Sequence, residues 1–414
     1  MQRDDYGDVD RVHLVLRRLV CVAGIRGLWY CRRMDDWARR FWFAVAVLHT
    51  VFLVLWVTQA LAGGPPEHDW SFFQTSAIRA WTGDWDAVYA VGVKPTPTVR
   101  FLYPPYAIGL YLPTVLLSKP AAYLFITGLQ LGAVGLAIGL LWREVRPSVD
   151  TSIAVLAGFF GSAAFAWEVI LGQTGGMFLL AYVLAVVAWR RGRPGLAGTA
   201  LGILGVKPHW TAAPAILLAF VDRRAWAAFA GVGAVLVAAS LPLGLDPWRD
   251  FFTTAFGQTD LVTNHLEGRH NLSVRGLVLA VSGSGTVVNL VYAVVLLPLV
   301  VALVAVWRAP VDPLRKVSAL VLFTVSANLY VNIYDALVLL VPVMDWASGP
   351  DRLPRSWVRL GLGAMAVAWL WDARTWLWPV LLPVEPGPFC LAGLVAAGWL
   401  VALGIDARRR LADG

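Results

Sequence analysis

The chain has 414 residues, 58% of them hydrophobic and only 14% charged, and a formal net charge of +8. A soluble domain is ordinarily nearer half apolar and a quarter charged, so this composition excludes a large water-soluble domain. The basic excess does not argue for nucleic acid. It gathers at the ends of apolar runs (Arg190, Arg191 and Arg193; Arg223 and Arg224; Arg315 and Lys316; Arg352, Arg355 and Arg359; Arg408 to Arg410), as cytoplasmic flanks of membrane spans do.

Residues 1–41 read as a basic, partly amphipathic cytoplasmic arm, too long and too charged before the first apolar run to be a signal peptide. Residues 42–63 form the expected first span. Arg26, Arg32, Arg33, Arg39 and Arg40 precede it, so it should run from inside to outside and deliver Asp69 to the outer face. Residues 64–103 form an outer segment broken by Pro65, Pro66, Gly83, Pro95 and Pro97. Within it, Phe72, Phe73, Ala77 and Trp81 stand at near-helical spacing, which predicts a short interfacial helix over 70–81. The sequence Gly83-Asp84-Trp85-Asp86 reads as a turn carrying solvated acids.

Apolar segments follow at 104–118, 120–142, 151–170, 173–189, 195–221, 225–244, 285–307, 316–346, 356–372 and 388–405, giving about ten to thirteen spans of membrane length. The segment 195–221 is interrupted at 205–210 and the segment 316–346 at 328–335. Irregular backbone at membrane depth is tolerated only against protein or a cavity, so both breaks point to function. Charge places Gly172, Gln173, both breaks, the large loop 245–284 and the loop 373–387 on the side of Asp69, with the tail 407–414 inside. If 104–118 and 120–142 both crossed, Arg143 and Arg146 would fall outside, so one of the two should be re-entrant or tilted. Cys21, Cys31 and Cys390 have no metal-ligand spacing and imply no disulfide framework. Most of the 21 tryptophans are accounted for by interfacial anchoring.

Several groups on the outer side can carry chemistry. Asp69 follows the first span and opens the interfacial helix, so it is either an N-terminal cap or a general base. Lys207 is an ionisable residue inside an apolar run, a functional hypothesis by default, and His209 and Trp210 follow it. Arg269, His270 and Arg275 form a cationic loop cluster that could grip a phosphate. Gln173, in a glycine-rich turn that lacks the Gly-Lys-Ser/Thr ending of a P-loop, could bind sugar hydroxyls. His265 and His270 are not at the spacing of a zinc-protease helix, and no cofactor is expected. A hard divalent cation held by Asp69, Asp86 and Asp335 stays open as an alternative.

Taken in order, these residues resemble glycosyltransferase family 87, an all-α integral membrane family of the GT-C fold class. The resemblance covers 42–345. It runs through Asp69, Gly83, Val88-Tyr89, Tyr103-Pro104-Pro105, Gly172-Gln173, Gly202 to Lys207-Pro208, Asn271-Leu272-Ser273 and Tyr334-Asp335. It implies a GT-C-like catalytic domain over 42–406 and a polyprenyl-phosphate sugar donor, mannose first and arabinose as a further sugar. The implied acceptor is a hydroxyl of a glycolipid or glycan on the outer face of the cell membrane, and the transfer inverts configuration. Asp69 would be the base, Lys207 the phosphate-binding cation with Arg275 and His270 as second choices. Tyr103, Gln173, His209, Asn271, Tyr334 and Asp335 would be sugar or acceptor contacts. The characterised mannosyltransferases have a functional His in the late span region, where 328–335 has none. Asp335, Tyr334, His209 and His270 are the candidates to replace it. A lipid-linked glycan ligase or polymerase shares this outer-face arrangement. A transporter or flippase would share broken spans and intramembrane charge, but would ordinarily add internal repeats and midplane polar groups.

Overall fold

The computed structural model describes residues 69–89, 101, 103–147, 155–156, 159–160, 162–256, 271–282, 285–348 and 392–413, together with residues 51 and 58. The basic arm, the first span at 42–63 apart from residues 51 and 58, His270 and the rest of 257–270, the apolar segment at 356–372 and the loop 373–387 lie outside the described residues. The described residues form helices and contain no strand. In chain order the helices are α1 (Asp69–Trp81), α2 (Trp85–Tyr89), α3 (Lys119–Val145), α4 (Ala163–Leu171), α5 (Gly175–Arg190), α6 (Pro194–Gly202) and α7 (Pro208–Val221). They continue with α8 (Arg223–Ser240), α9 (Asp246–Phe256), α10 (Val274–Ser282), α11 (Gly285–Arg308), α12 (Pro313–Ala327), α13 (Leu340–Ser348) and α14 (Ala392–Asp413).

Three stretches among the described residues are long and apolar enough to cross a membrane: Lys119–Val145, Arg223–Leu243 and Val288–Arg308. Their ends follow local chemistry. The Asp222 carboxylate accepts from the amides of Arg224 and Ala225 at the start of α8, and Asp312 accepts from Leu314 at the start of α12. Leu290, Val294 and Leu297 stand exposed at one-turn spacing on α11, an apolar stripe suited to hydrocarbon. The opposite faces join one continuous core through α3, α5 and α12.

The interfacial helix predicted over 70–81 is α1, and it starts at Asp69. Its apolar face is not spread on a surface but buried in protein: Phe73 stacks on Tyr111 at 4.4 Å and Phe72 meets Phe101 at 5.9 Å, while Ile78 and Trp81 toward the far end are open. Asp84 and Asp86 are exposed as expected, and Asp86 lies in the first turn of α2 beyond Gly83, whose φ is +81°.

The topological conflict at Arg143 and Arg146 resolves at 104–118. That segment is two short 3-10 turns, Pro105–Leu110 and Leu112–Leu116, and not a span. Proline opens each turn and no continuous helix develops. Helix α3 therefore starts at the end of the molecule that holds α1, and its far end joins the basic end. There Arg191 pairs with Glu144 at 3.0 Å and Arg190 with Asp312 at 2.9 Å. Helix α5 has 16 residues and so runs about 24 Å from this cluster to Gly175. At that opposite end the two interrupted segments meet.

Candidate active site

The first break lies between α6 and α7. Helix α6 tightens into a 3-10 turn over Ile203–Val206, Lys207 becomes extended, and Pro208 restarts the helix. The Tyr106 hydroxyl donates to the carbonyl of Gly205 at 2.8 Å and pins this irregular backbone. The second break leaves the helix at Asn328, which is extended, bends at 329, is extended again at Asn332 and continues as a 3-10 helix, Ile333–Leu339. The breaks converge on one ion pair. Lys207 Nζ lies 2.8 Å from Asp335 Oδ1, with side chains 3% and 1% exposed. The rings of Tyr334 and Phe178 lie 4.6 Å and 5.4 Å from the ammonium.

Asp335 serves both its own segment and the other. Its second oxygen accepts from the Asn332 amide at 3.0 Å, closing a capping box at the 3-10 helix. The Asn332 side chain in turn accepts from the Tyr330 hydroxyl at 2.8 Å and donates to the Tyr334 hydroxyl. One carboxylate thus ties Lys207 to a chain of side chains that fixes the irregular backbone.

Asp69 lies within electrostatic reach of Tyr103 and Tyr334, the tyrosines around this pair. Gln173 Nε2 donates to Asp69 Oδ2 across 104 positions of sequence. The contact depends on Gly172, which ends α4 in the left-handed region at φ +61°; a Cβ there would come within 2.9 Å of Trp70 Cβ. Tyr103 links the two halves electrostatically. Its phenol is pushed well above its ordinary value, by burial first and then by Tyr111, Asp69 and Asp335. Asp69, Gln173, Tyr103, Lys207, Tyr334 and Asp335 are therefore brought together at one end of the bundle.

Other expected residues do different work. Asn271 accepts from the amides of Ser273 and Val331 at 3.0 and 3.2 Å and donates to the carbonyl of Leu329 at 3.0 Å, so its polar atoms clasp the second break. Arg275 lies beside Tyr292; burial lowers its guanidinium below the usual value, and its Nη1 is buried with no partner among the described residues. His209 follows Lys207 at the start of α7, and its Nε2 is likewise buried and unpartnered.

Glu168 is the residue that the sequence reading passed over. It is 1% exposed, and its oxygens accept from the amides of Gly175 and Gly176 at 3.2 and 2.9 Å, at the positive end of α5. It also lies within electrostatic reach of Lys207 and Asp335. The signal was available: an acid inside the apolar segment 151–170, by the same rule that singled out Lys207. Gln130 supports the same helix start by accepting from the Met177 amide at 3.1 Å. The glycines permit this crowding, since a Cβ on Gly175 would lie 2.7 Å from the Tyr334 carbonyl oxygen.

Among the described residues, no group of three or more His, Cys, Asp or Glu side chains is arranged to hold a metal ion. The alternative of a cation shared by Asp69, Asp86 and Asp335 is not built. Asp86 is exposed on α2, while both oxygens of Asp335 are engaged. What the arrangement offers chemically is a carboxylate held by an amide donor, a buried ammonium, and aromatic hydroxyls between them.

These features define an all-helical membrane protein whose buried polar centre forms where its apolar segments are interrupted. The model of glycosyltransferase family 87 matches residues 101–342, more than half of the chain, and the chain belongs to that family. It is therefore a glycosyltransferase. No curated protein and no solved structure matches it.

Proposed function

We propose that this glycosyltransferase moves a sugar, mannose foremost, from a polyprenyl-phosphate donor to a hydroxyl of a glycolipid or glycan on the extracytoplasmic face of the cell membrane. The catalytic domain spans 42–406, between the cytoplasmic arm and tail. Asp69 takes the proton of the acceptor hydroxyl as its oxygen forms the bond to the anomeric carbon. The bond from that carbon to the phosphate oxygen breaks on the opposite face, so configuration inverts and prenyl phosphate leaves.

Lys207 is the cation for the leaving phosphate. Fixed positive charge where negative charge develops is usually the largest catalytic term, and it is strongest where water is excluded. In the free protein Asp335 holds the ammonium; when the donor phosphate arrives, Lys207 is shared between the two anions. Gln173, Tyr103 and Tyr334 are the sugar or acceptor contacts of this reading.

One observation carries the proposal: a carboxylate and a buried ammonium, far apart in sequence, both lie within reach of Tyr334 at the same end of the bundle. The test uses membranes supplied with radiolabelled polyprenyl-phosphate mannose. Asp69→Asn, at equal protein level, is expected to lower transfer by about 10²- to 10⁴-fold. Equal transfer by the variant removes Asp69 as the base, and labelled-substrate counterflow without product points to transport instead.

A further inference from the structure

Buried polar atoms in folded proteins are nearly always paired, and an unpaired one lowers stability. Three such atoms stand on Gln173, on its neighbour Thr174 and on Tyr111: among the described residues the Tyr111 hydroxyl, Gln173 Oε1 and Thr174 Oγ1 have no hydrogen-bond partner, on residues no more than 2% exposed. Gln173 is the residue whose amide nitrogen already holds Asp69, and Thr174 follows it directly. Tyr111 lies flat on Phe73, one helical turn along α1 from Asp69, and its phenol is within electrostatic reach of Asp69 and Glu168. The stacked ring fixes where that hydroxyl points.

The chemistry of the three atoms restricts the ligand. A phosphate needs donors, and the carbonyl oxygen of Gln173 would repel it. A prenyl chain would leave all three unpaired. A sugar fits, because each of its hydroxyls both donates and accepts: it can donate to Gln173 Oε1 and exchange bonds in either direction with the hydroxyls of Tyr111 and Thr174.

We propose that Tyr111, Gln173 and Thr174 form a subsite for the hydroxyls of the acceptor sugar and so turn it toward Asp69. The inference rests on the reading of Asp69 as the base, since that role makes the sugar beside it the acceptor. Thr174 and Tyr111 are specificity residues in this arrangement, and their unpaired state in the free protein is the feature that the ligand removes.

The experiment uses the full chain in lipid nanodiscs, with octyl α-D-mannopyranoside and octyl β-D-glucopyranoside as probes and octyl phosphocholine as a control for the alkyl chain. Tyr111→Phe and Thr174→Val each delete one unpaired hydroxyl. Each is expected to weaken binding of at least one glycoside by about tenfold, the loss of one hydrogen bond, with the control unchanged. Neither should lower the melting temperature of the free protein, because the deleted hydroxyls have no partner there. A lower melting temperature with unchanged glycoside binding makes these hydroxyls structural and overturns the proposal. So does a wild type that binds neither glycoside better than the control. Sugar transfer by Asp69→Asn separates the two readings. If that variant cannot transfer sugar while Tyr111→Phe and Thr174→Val bind normally, only the subsite fails. If Asp69→Asn transfers sugar normally, the base assignment fails first.

Discussion

The two ends of the helical bundle use charge differently: a network that reaches solvent at one, an isolated buried pair at the broken helices of the other. At the basic end Arg190, Arg191, Glu144 and Asp312 form a network of ion pairs open to solvent at Asp312, whose side chain is 51% exposed, above a buried pair of Arg315 and Asp345 at 3.3 Å. At the other end, among the described residues, the ion pair is Lys207 with Asp335, almost wholly buried, with Glu168 within electrostatic reach. Exposed pairs gain little over hydrated ions, so their number says little about stability. A buried pair loses its hydration and is no more stabilising than well-packed apolar residues of the same size. Its presence at the broken helices is better explained by what the charges do to a ligand than by what they do for the fold.

This contrast can be broken most directly at Lys207. Lys207→Met leaves Asp335 buried and unpaired, and should cost about 3–5 kcal/mol in unfolding measurements, besides abolishing transfer. The double variant Lys207→Met with Asp335→Leu should recover most of that stability while transfer stays at least about a hundredfold down. Recovery of transfer along with stability would make the pair purely structural. A smaller effect is expected at Gly175→Ala, whose Cβ would meet the Tyr334 carbonyl oxygen at 2.7 Å and Glu168 Oε2 at 2.8 Å. Thermal melting should register a loss of about 1–3 kcal/mol, and transfer should fall as the helix start shifts against both breaks. The smallest effect belongs to the basic end. Arg190→Ala should change stability by less than about 1 kcal/mol, and less again in high salt, with transfer unchanged. A large loss of transfer there would couple the two ends and erase the contrast.

The site was legible where a single residue violated its surroundings. Lys207 in an apolar run, the polar stretch before Asp335 and the helix start at Asp69 each stand out from local composition, and each lies in the centre described above. Glu168 could have been found by the same reasoning. Asn271 shows the limit: its type suits sugar binding, but the Val331 amide and the Leu329 carbonyl engage it, and only the path of the second break makes that evident. The segment 104–118 was apolar enough to suggest a crossing. Its prolines and its length, short of the roughly 20 residues a span needs, agree with the 3-10 turns that form.

Composition and periodicity settled the class of this protein, because burying a chain this apolar requires helices whose backbone groups are satisfied internally. Lone charges within those helices marked the places where that economy fails. Pairing was decided elsewhere. Gln173 reaches Asp69 across 104 positions and Lys207 reaches Asp335 across 128, through the left-handed turn at Gly172, the glycines at the start of α5 and the clasp of Asn271. No local pattern encodes such contacts, since they arise only when separate helices pack and their interruptions fall at the same depth.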